Sequence, residues 1–163
     1  MKQMLALVFL VACTSIFAQT LPDLSKIKLE KKGDYKSAEP TVKQAAAYLL
    51  TTPYKDKDSV RTSCVAFIIK WMEGTPDYTF IIDEPIMKLN KENPNLLGLC
   101  FASMAKYCLE EPAYAKDPKV VKLHTYKILL EYCDKPENNI PLTKQLKKLS
   151  DANKKGQLEK ELF

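Results

Sequence analysis

The residue types that most often carry catalysis are scarce in this chain of 163 residues. Its one histidine, His124, is the base that a Ser–His–Asp triad or a thiol–imidazole pair would need. His124 follows Val121 by three residues and precedes Ile128 by four, which places it on an apolar helix face. Neither Cys108 nor Cys133 has the local signature of a catalytic thiol. We therefore expect His124 to pack as a core histidine, and we predict that the protein is not an enzyme.

Metal and cofactor motifs are also missing from the sequence. There is no C-x-x-C, H-E-x-x-H or calcium-loop spacing, and the four glycines lie too far apart for a phosphate-binding loop. The acidic pairs Asp83–Glu84 and Glu110–Glu111 are adjacent in sequence, and adjacent helical side chains diverge by about 100°. We expect these carboxylates to cap helices and face solvent. The sequence thus predicts no catalytic, metal-binding or cofactor-binding residue.

The positive charge of the chain comes almost entirely from lysine. The formal net charge is +5, and Arg61 is the only arginine available for bidentate contacts to bases or phosphates. Five lysines cluster late in the chain: Lys144, Lys147, Lys148, Lys154 and Lys155. We interpret them as a solvated helix face and predict no nucleic-acid partner. The alternative is weak association with an anionic membrane surface.

The most distinctive local sequence is WMEGTPDYTF, which runs from Trp71 to Phe80. Tryptophan and tyrosine combine an apolar body with a polar tip and are common in binding interfaces. We therefore take Trp71, Tyr78, Phe80 and Tyr107 as the candidate binding surface. The competing interpretation is that these aromatic side chains fold back and cover the hydrophobic core.

Residues 1–18 are typical of an export signal, with a basic start, an apolar run over residues 4–12 and a small residue at Ala18. The sequence that ends at Cys13 also resembles a lipoprotein box, in which this cysteine would be acylated. Residues 16–17 argue against that alternative because they prolong the apolar run where a lipoprotein normally has a polar tether. We predict an exported protein, periplasmic or secreted, with lipid anchoring at Cys13 as the minor alternative.

Export would bring the four later cysteines, Cys64, Cys100, Cys108 and Cys133, into an oxidising compartment. Cys100 and Cys108 share one predicted helix and would lie about 12 Å apart, beyond the roughly 7 Å that a disulfide spans. Two pairings remain, either Cys64–Cys100 with Cys108–Cys133 or Cys64–Cys108 with Cys100–Cys133. The favoured alternative is four free thiols that pack as small apolar side chains in a helical core.

Apolar spacing and helix-capping residues predict an all-α protein. The predicted long helices cover about residues 40–51, 59–73, 93–110, 117–133 and 141–154. A short extended stretch and a short helix meet at Asp83, and Gly74 and Gly156 are expected to end helices.

Helices 59–73 and 93–110 are apolar on more than one side, so we expect both at the centre. The short connections predict a compact bundle of five or six packed antiparallel helices, with a short TPR-like solenoid of helical hairpins as the alternative. Residues 19–36, which are rich in lysine, are predicted to form a tether or arm, and residues 37–163 a single helical domain.

Three stretches carry a resemblance to other proteins: SAEP at Ser37–Pro40, WMEGTPDYTF at Trp71–Phe80 and TKQLKKL at Thr143–Leu149. Together with the signal, they resemble a group of small exported helical proteins of Gram-negative bacteria with no assigned activity. The resemblance covers most of the mature chain. It implies location and fold, and it brings no site residues with it.

Two functions are consistent with these observations. The first is an exported, non-enzymatic binding or scaffold module of the cell envelope, with another envelope protein as its partner. The alternative is a carrier of a small apolar ligand or lipid in a cavity between the two central helices. Met72, Met104 and Phe101 are the residues that we would expect to line that cavity.

Overall fold

A computed structural model describes residues 21–163, and the predicted export signal and Cys13 lie outside this range. Seven α-helices follow one another within it: α1 (Lys32–Thr51), α2 (Ser59–Gly74), α3 (Glu84–Glu92), α4 (Asn95–Glu110), α5 (Pro118–Cys133), α6 (Lys144–Lys154) and α7 (Leu158–Leu162). The predicted all-α class and the compact helical packing are confirmed. No helix in residues 21–163 has the length and apolar character needed to cross a bilayer.

Several helices begin where the sequence supplies a capping side chain. The Asp58 carboxylate accepts hydrogen bonds from the backbone N–H groups of Val60 and Arg61, at 2.9 and 3.0 Å. Asp83 caps α3 and Asp117 caps α5 in the same way. These carboxylates satisfy N–H groups that have no partner inside a helix, and they complement the positive end of the helix dipole.

The start of α1 differs from the prediction. The helix begins at Lys32, eight residues before Pro40, so the predicted boundary at Pro40 is wrong. The Asp34 carboxylate accepts hydrogen bonds from the backbone N–H groups of Glu30 and Lys31 and thereby fixes an earlier first turn. Proline inside a helix costs one backbone hydrogen bond, but α1 continues through Pro40 because its apolar face is buried.

The segment expected to be a tether or arm is therefore partly helical and partly packed on the domain. Residues 32–36 belong to α1, and a short 3₁₀ turn at Leu24–Lys26 lies against α2. Leu29 is buried in the common core.

Helix α4 lies at the centre of the fold, in contact with α1, α2, α3 and α5. Helix α2, which was expected to be a second central helix, contacts α1, α4 and the Leu24–Lys26 turn. Its second apolar stripe, formed by Val65, Ile69 and Met72, is only half-buried. Helices α1 and α5 are in extensive contact with α4, and α1 packs against α2 as well.

Arg61 has a structural role at the end of α1. Its guanidinium is buried and donates hydrogen bonds to the carbonyl oxygens of Leu49 and Thr52, at 3.0 and 3.2 Å. Tyr132 from α5 donates to the same Thr52 carbonyl at 2.8 Å. A cation at the negative end of a helix dipole is stabilising. The only arginine is thus used inside the fold.

Candidate ligand cavity

The structure places the four aromatic residues of the candidate binding surface at different depths. Trp71 is fully buried, and its ring centroid lies 5.6 Å from that of Tyr78 and 5.7 Å from that of Phe80. Tyr107 is buried and stacks on His124, with ring centroids 4.5 Å apart. Only Tyr78 and Phe80 are half-buried and partly accessible. Trp71 and Tyr107 are therefore not part of an exposed surface.

The four cysteines of residues 21–163 are free thiols, and all are buried. Burial raises the pKa of Cys64 and Cys108 to about 11 and that of Cys133 to about 12. Burial also raises the pKa of Cys100. These thiols are held in the neutral form, in which a cysteine is a poor nucleophile.

His124 is held by packing and by its stack on Tyr107. Partial burial lowers the pKa of the imidazole, and the charge of Lys127 lowers it further, while Glu111 acts in the opposite direction. In residues 21–163, no three His, Cys, Asp or Glu side chains are grouped as a metal site requires.

A cavity of about 260 Å³ lies between α4, α5 and the segment that leads into α3. Ile86 from α3, Met104 from α4 and Val121 from α5 are buried and supply its apolar wall. Ile81 and Phe163 line its mouth and are more than half exposed. The cavity thus opens to solvent through an apolar rim.

The space expected between α2 and α4 is present as a separate open groove of about 360 Å³. Val65 and Ile69 of α2 and Gly98 and Leu99 of α4 line this groove. Met72, Phe101 and Met104, the predicted lining residues, do not line this groove, and Met104 lines the cavity between α4 and α5 instead. The prediction missed the cavity residues of α5. These residues share one helix face, but the sequence does not show which part of the protein lies beside that face.

The polar side of the cavity centres on Asp83. One carboxylate oxygen, Oδ1, accepts hydrogen bonds from the Ile86 backbone N–H and the Tyr126 hydroxyl, each at 3.0 Å. The other, Oδ2, lies 2.8 Å from the ammonium nitrogen of Lys122. Burial, and after it the negative charge of Asp83, raise the pKa of Tyr126, so this phenol remains a hydrogen-bond donor.

Two oxygen atoms at the cavity lack a hydrogen bond among residues 21–163. The Thr125 hydroxyl oxygen is buried and has no partner there. Asp83 Oδ2 is ion-paired with Lys122 but receives no hydrogen bond of acceptable geometry. Buried polar atoms are nearly always hydrogen-bonded in native proteins, so each exception calls for an explanation.

Ser103 and Thr51, two other hydroxyl residues in helices, behave differently from Thr125. Ser103 Oγ donates to the Leu99 carbonyl at 2.8 Å, and Thr51 Oγ1 donates to the Ala47 carbonyl at 2.7 Å. Such bonds to the carbonyl four residues earlier are the usual way in which a helix satisfies a hydroxyl group. Thr125 makes no such bond, and it lines the cavity.

No protein-family model matches the chain, and no curated protein or solved structure is significantly similar to it. The resemblance to small exported helical proteins therefore stays a prediction. Function has to be inferred from the chemistry of the cavity itself.

That chemistry suits ligand binding. Small-molecule sites are concave and mostly apolar, and they contain a few polar groups that orient the ligand. The cavity combines a wall of buried aliphatic side chains with one fixed carboxylate, one ion-paired lysine and one hydroxyl without a partner in residues 21–163. It can hold a molecule with an apolar body and one polar end.

Proposed function

We propose that the protein is an exported, non-enzymatic binding protein of the cell envelope, and that its ligand is a small, mostly apolar molecule. The ligand lies in the cavity between α4 and α5. The observation that carries this proposal is the coexistence of a buried apolar wall and the unbonded Thr125 hydroxyl in one cavity that opens to solvent. A buried hydroxyl without a hydrogen bond is rare in native proteins, and a ligand in the cavity would supply the missing partner.

The volume of the cavity limits the size of the ligand. A cavity of about 150 Å³ binds benzene, so the observed 260 Å³ suits a ligand of about ten non-hydrogen atoms. At about 0.4–0.7 kcal/mol per atom, ten atoms correspond to a dissociation constant on the order of 10 μM to 1 mM. The expected ligand is a small aromatic or branched aliphatic compound, well below the size of a phospholipid.

Export is supported by the signal-like sequence of residues 1–18. Binding of another envelope protein, the first function that the sequence suggests, stays a prediction. A partner that approached the WMEGTPDYTF stretch would meet Tyr78 and Phe80, since Trp71 lies in the core. Ligand carriage requires the cavity between α4 and α5, whereas binding of another envelope protein does not.

The three methionines after residue 20 give a direct test of ligand binding. Met104 lines the cavity, Met72 lies elsewhere on α2 and Met87 is exposed on α3. We would label the methionine methyl groups with ¹³C in the chain that begins at Gln19 and titrate it with ethylbenzene. We expect a saturable shift of the Met104 methyl resonance, with Met72 and Met87 as internal controls.

A cavity-filling variant gives the matched control. Val121→Phe places a larger side chain in the cavity wall, and it should abolish the Met104 titration. Val60→Phe makes the same change on the exposed side of α2 and should leave the titration intact. Equal, non-saturating shifts of all three methionine resonances would refute the proposed function. Thermal unfolding of Val121→Phe and Val60→Phe would show that both variants fold.

A further inference from the structure

We propose that the polar end of this ligand is an uncharged hydroxyl group, as in a small phenol or alcohol, held between Thr125 Oγ1 and Asp83 Oδ2. This inference rests on the function proposed above and specifies its ligand class. It follows from the two buried oxygens that lack hydrogen bonds in residues 21–163 and from the charges beside them.

Asp83 and Thr125 both line the cavity, and both are linked to α5. Lys122 and Tyr126, which are four residues apart on α5, both contact the Asp83 carboxylate. Residues at this spacing share one helix face, and Thr125 lies on the same face, three residues after Lys122. Asp83 and Thr125 are thus two polar lining residues beside the same face of α5, and their oxygens are buried, so a ligand hydroxyl reaches them only when neighbouring side chains move slightly.

The hydrogen-bonding capacities of the two oxygens are complementary to a hydroxyl group. A carboxylate oxygen can only accept, whereas a threonine hydroxyl can donate and accept. In chemical terms, a ligand hydroxyl is therefore able to donate to Asp83 Oδ2 and to accept from Thr125 Oγ1. A buried group that gains its missing hydrogen bond gains more than an exposed one, because its desolvation cost has already been met.

The ion pair argues against a charged ligand. The side chains of Asp83 and Lys122 are only 18% and 21% exposed, and water screens them incompletely. A ligand carboxylate would lie beside Asp83, and a ligand ammonium would lie beside Lys122. Lys119 adds a further positive charge, but it is exposed at the rim and lies over the Phe163 ring. An uncharged polar end avoids both repulsions.

The test compares ligands that share one apolar body. Ethylbenzene, 4-ethylphenol, 4-ethylbenzoate and 4-ethylbenzylammonium would each be titrated at pH 7, with the Met104 methyl resonance as the readout. We expect 4-ethylphenol to bind about tenfold more tightly than ethylbenzene, the value of about one hydrogen bond to a buried group. We expect both charged compounds to bind more weakly than 4-ethylphenol.

Two variants assign the effect to Thr125. Thr125→Val removes the hydroxyl and keeps the branched shape, so the advantage of 4-ethylphenol should fall from about tenfold to about threefold or less. The affinity for ethylbenzene should be unchanged. Thr125→Ser keeps the hydroxyl and should keep the preference, and it also serves if Thr125→Val fails to fold.

The possible results separate this inference from the proposed function. Equal affinities for 4-ethylphenol and ethylbenzene would overturn this inference, because they would show that water already provides the hydrogen bonds of the two oxygens. Tightest binding of the benzoate or the ammonium would also overturn it, as would full preference for the phenol in Thr125→Val. If no compound shifted Met104, the proposed function itself would fail.

Discussion

The indole Nε1 of Trp71 donates a hydrogen bond to the carbonyl oxygen of Tyr35, 3.0 Å away, and so joins the end of α2 to the start of α1. The Tyr35 side chain contributes a second tie, because its hydroxyl donates to the Leu29 carbonyl at 3.1 Å. Its ring passes so close to α2 that a Cβ at Gly74 would lie 2.1 Å from the Tyr35 hydroxyl oxygen. The absence of a side chain at Gly74 therefore allows this helix contact.

Gly74→Ala is expected to lower the free energy of unfolding by about 1–3 kcal/mol, because the new methyl group must displace the Tyr35 ring. Gly33→Ala is the matched control, since a Cβ at Gly33 meets no atom within 4 Å. Alanine in the first turn of α1 should instead stabilise by about 0.5–1 kcal/mol. Urea unfolding measures both changes, and equal stabilities of the two variants would contradict the proposed contact.

The buried thiols are expected to resist modification in the folded protein. With pKa values of about 11 for Cys64 and Cys108 and about 12 for Cys133, few thiolates are present at pH 8. A chromogenic disulfide reagent should therefore react slowly with a chain of residues 19–163 and titrate four thiols after denaturation. Fewer than four thiols in denatured, unreduced protein would show that a disulfide is present.

The stability of the protein should fall as the pH is lowered from 7.5 to 5.5. Burial lowers the pKa of His124 in the folded state, so the unfolded chain binds its proton more readily. This destabilising effect of His124 is absent above the unfolded pKa of about 6.5, and it grows as the pH drops toward the pKa of His124 in the folded state. His124→Phe preserves the stack on Tyr107 and should flatten the melting temperature over this interval. An unchanged slope would assign the pH dependence to another group.

The unbonded hydroxyl predicts an unusual response to substitution. Thr125→Val should raise the free energy of unfolding of the ligand-free protein by about 1 kcal/mol, because it removes a buried polar atom with no hydrogen bond in residues 21–163. Ser103→Ala is the control, since Ser103 is buried but bonded to Leu99. That change should lower stability by about 0.5–1.5 kcal/mol. Destabilisation by Thr125→Val to the same extent would mean that its hydroxyl is satisfied.

The elements that the sequence predicted correctly are those whose ends carry a local chemical signal. Asp58, Asp83 and Asp117 bond the first N–H groups of α2, α3 and α5, and such caps depend only on neighbouring residues. Gly156 follows Lys155, the C-cap residue of α6, and adopts a φ of +67°, as expected of a glycine that ends a helix.

Features that depend on distant contacts could not be predicted in this way. Gly74 does end α2, but it has no positive φ, and its small size serves the contact with Tyr35. Pro40 lies inside α1 because burial of the helix face outweighs the lost hydrogen bond. The groove between α2 and α4 was expected, but the cavity between α4 and α5 was not, because periodicity shows that a face is apolar without showing which helix covers it.

The central claim is that a small molecule with an apolar body and a hydroxyl end occupies the cavity between α4 and α5. The most direct measurement is a crystal structure of the mature chain soaked with 4-iodophenol, in which anomalous scattering locates the iodine atom. The proposal predicts iodine inside the cavity near Met104 and the phenol oxygen within hydrogen-bonding distance of Thr125 Oγ1. Ordered iodine only at other positions on the protein, with the cavity closed by its own side chains, would contradict it.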